Sequence, residues 1–335
     1  MILVIAEKPS VAQSIAKVLG ATSRKDGYME GGNYIVSWCF GHLVELADAS
    51  SYDERYAKWR YDDLPIVPES WMFEVTKDKA QQFKVLSALM KDKRVTELVC
   101  ATDAGREGEL IFRLVYDKAG CTKPFKRLWI SSLEDSAIRE GFNHLRDGKE
   151  YDRLYEAALS RSKADWIVGI NGTRLFTTLY HKKLVVGRVQ TPTLAMLVER
   201  DGKISTFQKE KYFNVHVGKG DLTADLEKVK TEEEAKRIAA ACEKKQAVVS
   251  SLKRETKTVN PPKLYDLTTL QREANRYYGF TAQQTLDLVQ ALYEKKLLTY
   301  PRTDSQFITD DMEDTARQVI SIVCRQLPLF SGVSV

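Results

Sequence analysis

A tyrosine stands two residues before an arginine in Leu297-Leu298-Thr299-Tyr300-Pro301-Arg302-Thr303-Asp304-Ser305, at a point where proline stops regular structure. A tyrosine hydroxyl can serve as a covalent nucleophile, and a guanidinium two positions on can hold a phosphate through two parallel hydrogen bonds. With an ordinary pKa of about 10, only roughly one phenol in a thousand is ionised at neutral pH. Tyr300 therefore needs positive charge nearby, and Arg302, Lys8 and a metal ion are the candidates. One well-placed donor to the developing charge is worth about 3–4 kcal/mol.

Two further motifs carry acids. Glu7-Lys8-Pro9-Ser10 opens the chain, and Asp103-Ala104-Gly105-Arg106-Glu107-Gly108-Glu109 lies in its middle. Carboxylates of Glu7, Asp103 and Glu107 converging at strand ends suit Mg²⁺, a hard cation that takes one or two protein carboxylates, waters and substrate phosphates. Gly105 and Gly108 flank Arg106 and let the backbone come close to a phosphate. Lys8 can hold the scissile phosphate or protonate a leaving hydroxyl. A cation at a helix start is disfavoured by the helix dipole, which favours a functional reason for Lys8. Taken singly, each group has a plainer reading: a helix-capping acid, a surface lysine, a core-edge tyrosine. Together they point to cutting and rejoining nucleic acid through a phosphotyrosine.

Val186-Gly187-Arg188-Val189-Gln190-Thr191-Pro192-Thr193 ends in a proline at a helix start, which leaves backbone N–H groups facing outward for an anion. Arg188, Gln190 and Thr191 add side-chain donors to a phosphate backbone. Arg161, Lys163 and Arg174 lie on helical patterns with Trp166 among them, an interleaving that suits single-stranded nucleic acid.

The elements that must position these groups are legible in outline. Residues 1–146 alternate strand and helix patterns: strands at Ile2 to Ala6, Tyr34 to Phe40, Leu98 to Ala101 and Leu128 to Ile130, and helices at Ser10 to Leu19, Gln81 to Met90, Glu107 to Tyr116 and Ser136 to Leu145. Such alternation argues for a parallel sheet covered on both faces, with ligands at the carboxyl ends of its strands. Glu7 and Asp103 sit just past strand ends. Residues 151–180 and Thr193 to Arg200 read as helical. Strands are expected at Tyr212 to Val217 and Ala247 to Leu252, around a charged helix from Glu232 to Lys244. After the linker signal Asn260-Pro261-Pro262 come helices at Thr268 to Tyr278, Thr281 to Leu292 and Asp310 to Arg325, the first two forming a helix-turn-helix around Gly279.

The chain has 335 residues, enough for two or three domains. Its net charge of +5 is compatible with a polyanionic partner if the cations cluster. Five cysteines without a CxxC pair argue against disulfides and zinc ribbons. The apolar start lacks the basic lead and cleavage site of a signal peptide, and no apolar run is long enough to span a membrane. A cytoplasmic protein is expected.

The motifs above, with Ser160-Arg161-Ser162-Lys163-Ala164-Asp165-Trp166, Gly169-Ile170-Asn171 and Pro261-Pro262-Lys263-Leu264-Tyr265-Asp266-Leu267 through Asn275, occur in an order that resembles type IA DNA topoisomerases, and within them the bacterial topoisomerase III branch. The resemblance covers nearly the whole chain. It implies a multidomain α/β plus mainly α architecture: a Toprim parallel-sheet domain (1–150), the first part of a helical DNA-binding domain (151–211), a small β-rich arch segment (212–260) and a helix-turn-helix-like domain carrying the nucleophile (261–335). It implies that Tyr300 attacks single-stranded DNA and stays joined to the 5′ phosphate, and that Arg302 and Lys8 hold that phosphate. Glu7 is then the general acid, and Glu7, Asp103 and Glu107 are the Mg²⁺ ligands. Arg161, Asp165, Arg174, Gly187, Arg188, Val189, Gln190 and Thr191 are the implied DNA contacts. Single-stranded and negatively supercoiled DNA are the implied substrates, relaxed and decatenated without ATP; no GxxxxGK[ST] loop occurs in the chain. A monomer associated with the nucleoid is expected, with a helicase or single-strand-binding protein as a compatible partner.

Two departures from the family pattern stand out. Its usual Asp-x-Asp-x-Glu has Gly105 at the middle acid, which puts a second metal site in question. Its chains also run well past the tyrosine, so further segments that complete the two central domains are expected beyond Val335. The rival readings are a DNA-binding remnant without strand passage and a stand-alone Toprim nuclease or primase. The latter has no use for Tyr300.

Overall fold

The computed structural model describes residues 1–327 apart from 131–132, 247, 296 and 309, and leaves the side chains of Glu294 and Asp311 undescribed. The chain divides into two compact units, one formed by residues 1–188 with 263–335 and the other by residues 189–262.

The first unit starts with β1 (Ile2–Ala6), α1 (Pro9–Leu19), β2 (Ser23–Lys25), β3 (Tyr28–Gly31) and β4 (Tyr34–Trp38). It continues with β5 (Val44–Leu46), α2 (Ala49–Tyr52), β6 (Phe73–Val75), α3 (Ala80–Lys91), β7 (Glu97–Ala101), α4 (Arg106–Lys118), β8 (Phe125–Arg127), α5 (Asp135–Asn143), β9 (Arg146–Asp147) and α6 (Asp152–Tyr180). Seven of the strands make one sheet in the order β2-β3-β4-β1-β7-β8-β9. Its centre, β4-β1-β7-β8, is parallel, as the alternating pattern predicts, but the last of these strands is Phe125–Arg127 and the strand expected at Leu128 to Ile130 does not form. Its margins are antiparallel. The sheet is therefore mixed rather than wholly parallel. The Asp26-Gly27 pair that turns β2 into β3 places Gly27 at φ 79°, the left-handed backbone a two-residue hairpin demands.

The period-2 alternation of β1 sorts the core. Leu3 and Ile5 pack with Leu86, Leu98, Leu110 and Phe112 under α3, α4 and α6. Val4 and Ala6 pack on the opposite face with Val11, Ile15 and Ile138 of α1 and α5. Helices thus cover both faces, and the apolar strands β1 and β7 are buried along four of their five residues each. This double burial fixes the register of Glu7 and Asp103, because the paired Ala6 and Ala101 end neighbouring strands.

In the rest of the first unit, α9 (Leu267–Tyr278) and α10 (Ala282–Glu294) flank Gly279, which ends α9 at φ 69°. A reciprocal capping box of Thr281 and Gln284 starts α10. A short 3₁₀ turn at Asp310–Met312 leads into α11 (Glu313–Gln326).

The second unit contains α7 (Gln190–Ser205), the hairpin β10 (Phe213–Lys219) and β11 (Leu222–Val229), and α8 (Glu232–Cys242). A core of Val215, Val229 and Ala235 joins the hairpin to α8. The strand expected at Ala247 to Leu252 does not form: residues 248–252 are irregular and exposed, and Ala247 lies outside the described residues. Val248 and Val249 have strand-forming side chains but no described partner strand against which to pack.

Candidate active site around Tyr300

One backbone and one side-chain hydrogen bond hold the Tyr300 segment in place. Leu267 N donates to Thr303 O (3.2 Å), and Gln306 donates to the Asp266 carboxylate (3.0 Å) that also caps α9. Pro301 is buried, and the Tyr293 ring meets the Tyr300 ring edge-on with centroids 5.5 Å apart. The rigid start of α9 and the inward face of α10 thus aim Tyr300 at the sheet.

The phenol of Tyr300 donates a hydrogen bond to Asp103 Oδ2 at 2.7 Å. Residues 197 positions apart in sequence are in direct contact. Lys8 Nζ lies 3.6 Å from the same carboxylate oxygen and 5.3 Å from the centroid of the Tyr300 ring. Asp103 N in turn faces Glu7 Oε2 at 3.4 Å. Glu7, Lys8, Asp103 and Tyr300 therefore share one small volume at the carboxyl ends of β1 and β7.

The electrostatics follow from that crowding. Burial, then the charge of Asp103, hold the Glu7 carboxyl above its usual range, against the pull of Lys8 and Arg302. Burial, the hydrogen bond to Asp103 and the charges of Asp103 and Glu7 push the Tyr300 phenol up, with Arg302 acting the other way. As arranged, the phenol is neutral and its proton is already directed at a carboxylate. Arg302 is exposed yet close enough to be felt by both groups.

A stability consequence follows for Glu7. Because the folded protein binds this proton more readily than the unfolded chain, its charge costs stability as pH rises through the elevated value. Glu7→Gln is expected to melt at a higher temperature than the parent at pH 7–8. The gap should close as pH falls below the ordinary carboxylate value of about 4.3. Melting curves from pH 4 to 8 check this; equal midpoints at pH 8 would contradict it.

The other sequence-derived positions divide. Glu107, the second residue of α4, directs its carboxylate to His42 Nε2 at 3.5 Å, with its side chain 60% exposed. It is not hydrogen-bonded to the Glu7–Asp103 pair, and no group of three or more His, Cys, Asp or Glu arranged to hold a metal occurs among the described residues. Arg188 pairs with Asp165 at 2.7 Å and lies in the field of Glu107, and both effects hold the guanidinium charged. Asp165 also feels Arg161. These residues make a polar track from Glu107 along α6.

Arg174 departs from the expectation. It is 4% exposed, donates to Tyr56 O at 2.7 Å and lies over Trp59. Its charge is spent holding the 47–71 loop on α6, so it offers no free guanidinium to a strand. Trp166 and Asn171 do the same work, through Ala47 O and the backbone of Ile66. Gly187 is partly buried, and Val189, Gln190 and Thr191 are exposed at the opening of the second unit.

Sequence reasoning missed two supports. Gly108 approaches the backbone so closely that a Cβ would sit 2.1 Å from Asp103 O, and its own carbonyl accepts from Thr102 at 2.7 Å. Gly108→Ala is therefore expected to lose about 1–3 kcal/mol of stability, read as a lower denaturation midpoint. Gly105, by contrast, is extended (φ 178°) with open space where a Cβ would go. The second support is Arg127, fully buried, which donates to Thr102 O and Asp103 O at 2.7 Å each. Only its pairing with a buried acid distinguishes it from the exposed Lys126, and sequence spacing carries no sign of that.

A family model described as DNA topoisomerase matches residues 149–331, and one described as Toprim domain matches residues 2–133. DNA topoisomerase 3 of Bacillus subtilis (strain 168) is 46% identical over 323 residues, which is 94% of this chain and 44% of that protein. DNA topoisomerase 3 of Staphylococcus haemolyticus (strain JCSC1435) is 47% identical over 320 residues, 94% of this chain and 45% of that protein. Among solved structures, full-length topoisomerase I from Thermotoga maritima matches with a TM-score of 0.66 at 27% identity, over 96% of this chain and 52% of that one. The chain thus spans less than half the length of the topoisomerase 3 relatives it matches.

Proposed function

The chain belongs to the type IA DNA topoisomerase family, and on that premise we propose that it cleaves and reseals one strand of DNA through Tyr300. The observation that carries the reading is the 2.7 Å hydrogen bond from the Tyr300 phenol to Asp103, made beside Lys8 and Glu7. The phenol oxygen attacks the phosphorus and its proton passes to the Asp103 carboxylate. The bond from phosphorus to the 3′ oxygen breaks, and the departing oxygen takes a proton from Glu7. Glu7 suits that role because its surroundings favour the protonated form. Lys8 and Arg302 hold the phosphate and offset the added charge. Resealing runs the same proton transfers backwards. One phosphoester replaces another, so the cycle needs no nucleoside triphosphate.

The donor set fits Mg²⁺ as a site of two carboxylates. Glu7 and Asp103 crowd together with a single lysine in contact, and the resulting excess of negative charge is what a hard cation relieves. Glu7 and Asp103 would hold the ion, with Glu107 as the further acid of the set. When bound it would supply positive charge toward the scissile phosphate. Passing a second strand through the break, and hence relaxation and decatenation of negatively supercoiled DNA, is the activity proposed for the whole protein. No helix among the described residues is long and apolar enough to cross a membrane. We place the protein with its DNA in the cytoplasm, as a monomer that can work beside a helicase or single-strand-binding protein.

The test is to incubate the chain with end-labelled single-stranded DNA and Mg²⁺, denature, digest and map the labelled peptide. The label should sit on the peptide that contains Tyr300, through a 5′ phosphate. Binding without any covalent label would favour the DNA-binding remnant instead.

The strand path is proposed along Arg161, Asp165 and Arg188 of the first unit; Gln190 and Thr191 are proposed as further DNA contacts. Replacing Arg161 or Arg188 should lower the slope of log affinity against log salt by about 0.7, one counterion on a single strand. Arg174→Met should leave the slope unchanged, because its guanidinium faces the protein. Equal slopes for all three variants would remove the path from this face.

A further inference from the structure

We propose that a cavity beside Tyr300 is a pocket for one unstacked base of single-stranded DNA, that of a nucleotide flanking the phosphate under attack; this rests on the strand-cleaving reading above. The cavity has a volume of about 470 Å³, within the ~300–1,000 Å³ typical of pockets that enclose a small ligand. Asp103, Tyr300 and Arg302 line one side of it, so it opens onto the reacting atoms themselves. The rest of its lining is mixed: Ile15, Leu133 and Ile308 are apolar, while Thr303, Asp304 and Ser305 add polar groups that can meet a base edge. Tyr265 and Phe307 contribute rings that are 54% and 73% exposed.

Aromatic faces left this open next to a phosphate-handling centre are what base stacking uses. The charge around them fits the same occupant. Lys263 Nζ lies 5.2 Å from the centroid of the Phe307 ring, and exposed Arg302 stands at the mouth. A cation beside a ring attracts both the phosphate and the π-face of a nucleotide. A duplex cannot enter, since its bases are stacked on both sides; a single strand can turn one base inward. The pocket therefore ties cleavage to a base flanking the break and gives the enzyme a preference at that position. Phe307 and Tyr265 act as specificity-determining residues; they take no part in the chemical step.

The experiment uses the full 335-residue chain and a fluorescent single-stranded oligomer with one mapped break site. Binding is measured while an abasic site is moved along the oligomer. One abasic position, flanking the break, is expected to weaken binding roughly tenfold, as loss of one stacked base does, while other positions change little. Phe307→Ala should bind the intact oligomer more weakly and become indifferent to that abasic position. Phe307→Tyr, which keeps the ring, should behave as the parent. A flat abasic profile, or a sensitive position that persists in Phe307→Ala, overturns the pocket. If a Tyr300 adduct still forms in those cases, the cleavage reading stands and only the pocket fails; an absence of both adduct and binding rejects the two together.

Discussion

Tyr300→Phe is expected to abolish the covalent protein–DNA adduct while leaving single-strand binding within about twofold of the parent. The substitution removes one oxygen atom, and that atom is both the proposed nucleophile and the donor to Asp103 at 2.7 Å. Among the described residues the Asp103 carboxylate contacts no other hydroxyl, so a substitute nucleophile would have to move into the site. Binding survives because the groups proposed to hold phosphate, Lys8, Arg302 and Arg188, are untouched. The variant should also lose about 1.5–3 kcal/mol of stability, the worth of a hydrogen bond to a charged group. Relief of the buried phenol offsets part of that loss. Asp103 stays partnered by Lys8 at 3.6 Å, which keeps the loss from growing. Denaturing gels after incubation with labelled DNA report the adduct, and anisotropy reports binding. An adduct of parental yield in Tyr300→Phe would place the nucleophile elsewhere and end the proposed chemistry.

Why the candidate reacting groups stand out in the sequence while their structural supports do not is a matter of range. Ile2 to Ala6 and Glu97 to Ala101 are apolar along their length because both faces of each strand are buried. That pattern is local, and it delivers Glu7 and Asp103 to strand ends without reference to any other residue. The acids were thus legible as a pair. The contact that Glu107 makes was not legible by the same logic: it lies four residues after Asp103, and its carboxylate meets His42, distant in sequence. The margin of the sheet was hidden by polar strands, since Ser23-Arg24-Lys25 has no apolar face. The Asp26-Gly27 turn was the available signal there. Arg174 misled for the opposite reason. A basic residue on a long helix reads as solvated or ligand-facing, and only the 47–71 loop, distant in sequence, buries it.

Arg127→Met is expected to be the most destabilising of the substitutions considered, by about 3–5 kcal/mol. Arg127 and Glu109 are both fully buried and paired at 3.1 Å. The guanidinium also donates to the carbonyls of Cys100, Thr102, Asp103 and Leu128. A methionine would fill much of the volume but leave those carbonyls without that donor and Glu109 with one cation fewer. Glu109 keeps Arg113, which bonds it at 2.9 Å and reaches on to Asp152 and Gly148 O; this places the expected loss at the lower end of the range. At about 2–4 °C per kcal/mol for a domain of this size, the midpoint should fall by roughly 6–12 °C. A double variant separates charge from packing. Removing a buried pair together is often close to neutral, whereas removing one partner strands the other. Arg127→Met with Glu109→Leu should therefore recover part of the loss, because no carboxylate is left short of its partner. If the double variant is instead as unstable as the sum of the singles, the carbonyl contacts carry the energy. Arg127 would then matter chiefly as the clamp that shapes the turn after β7, from which Asp103 meets Tyr300.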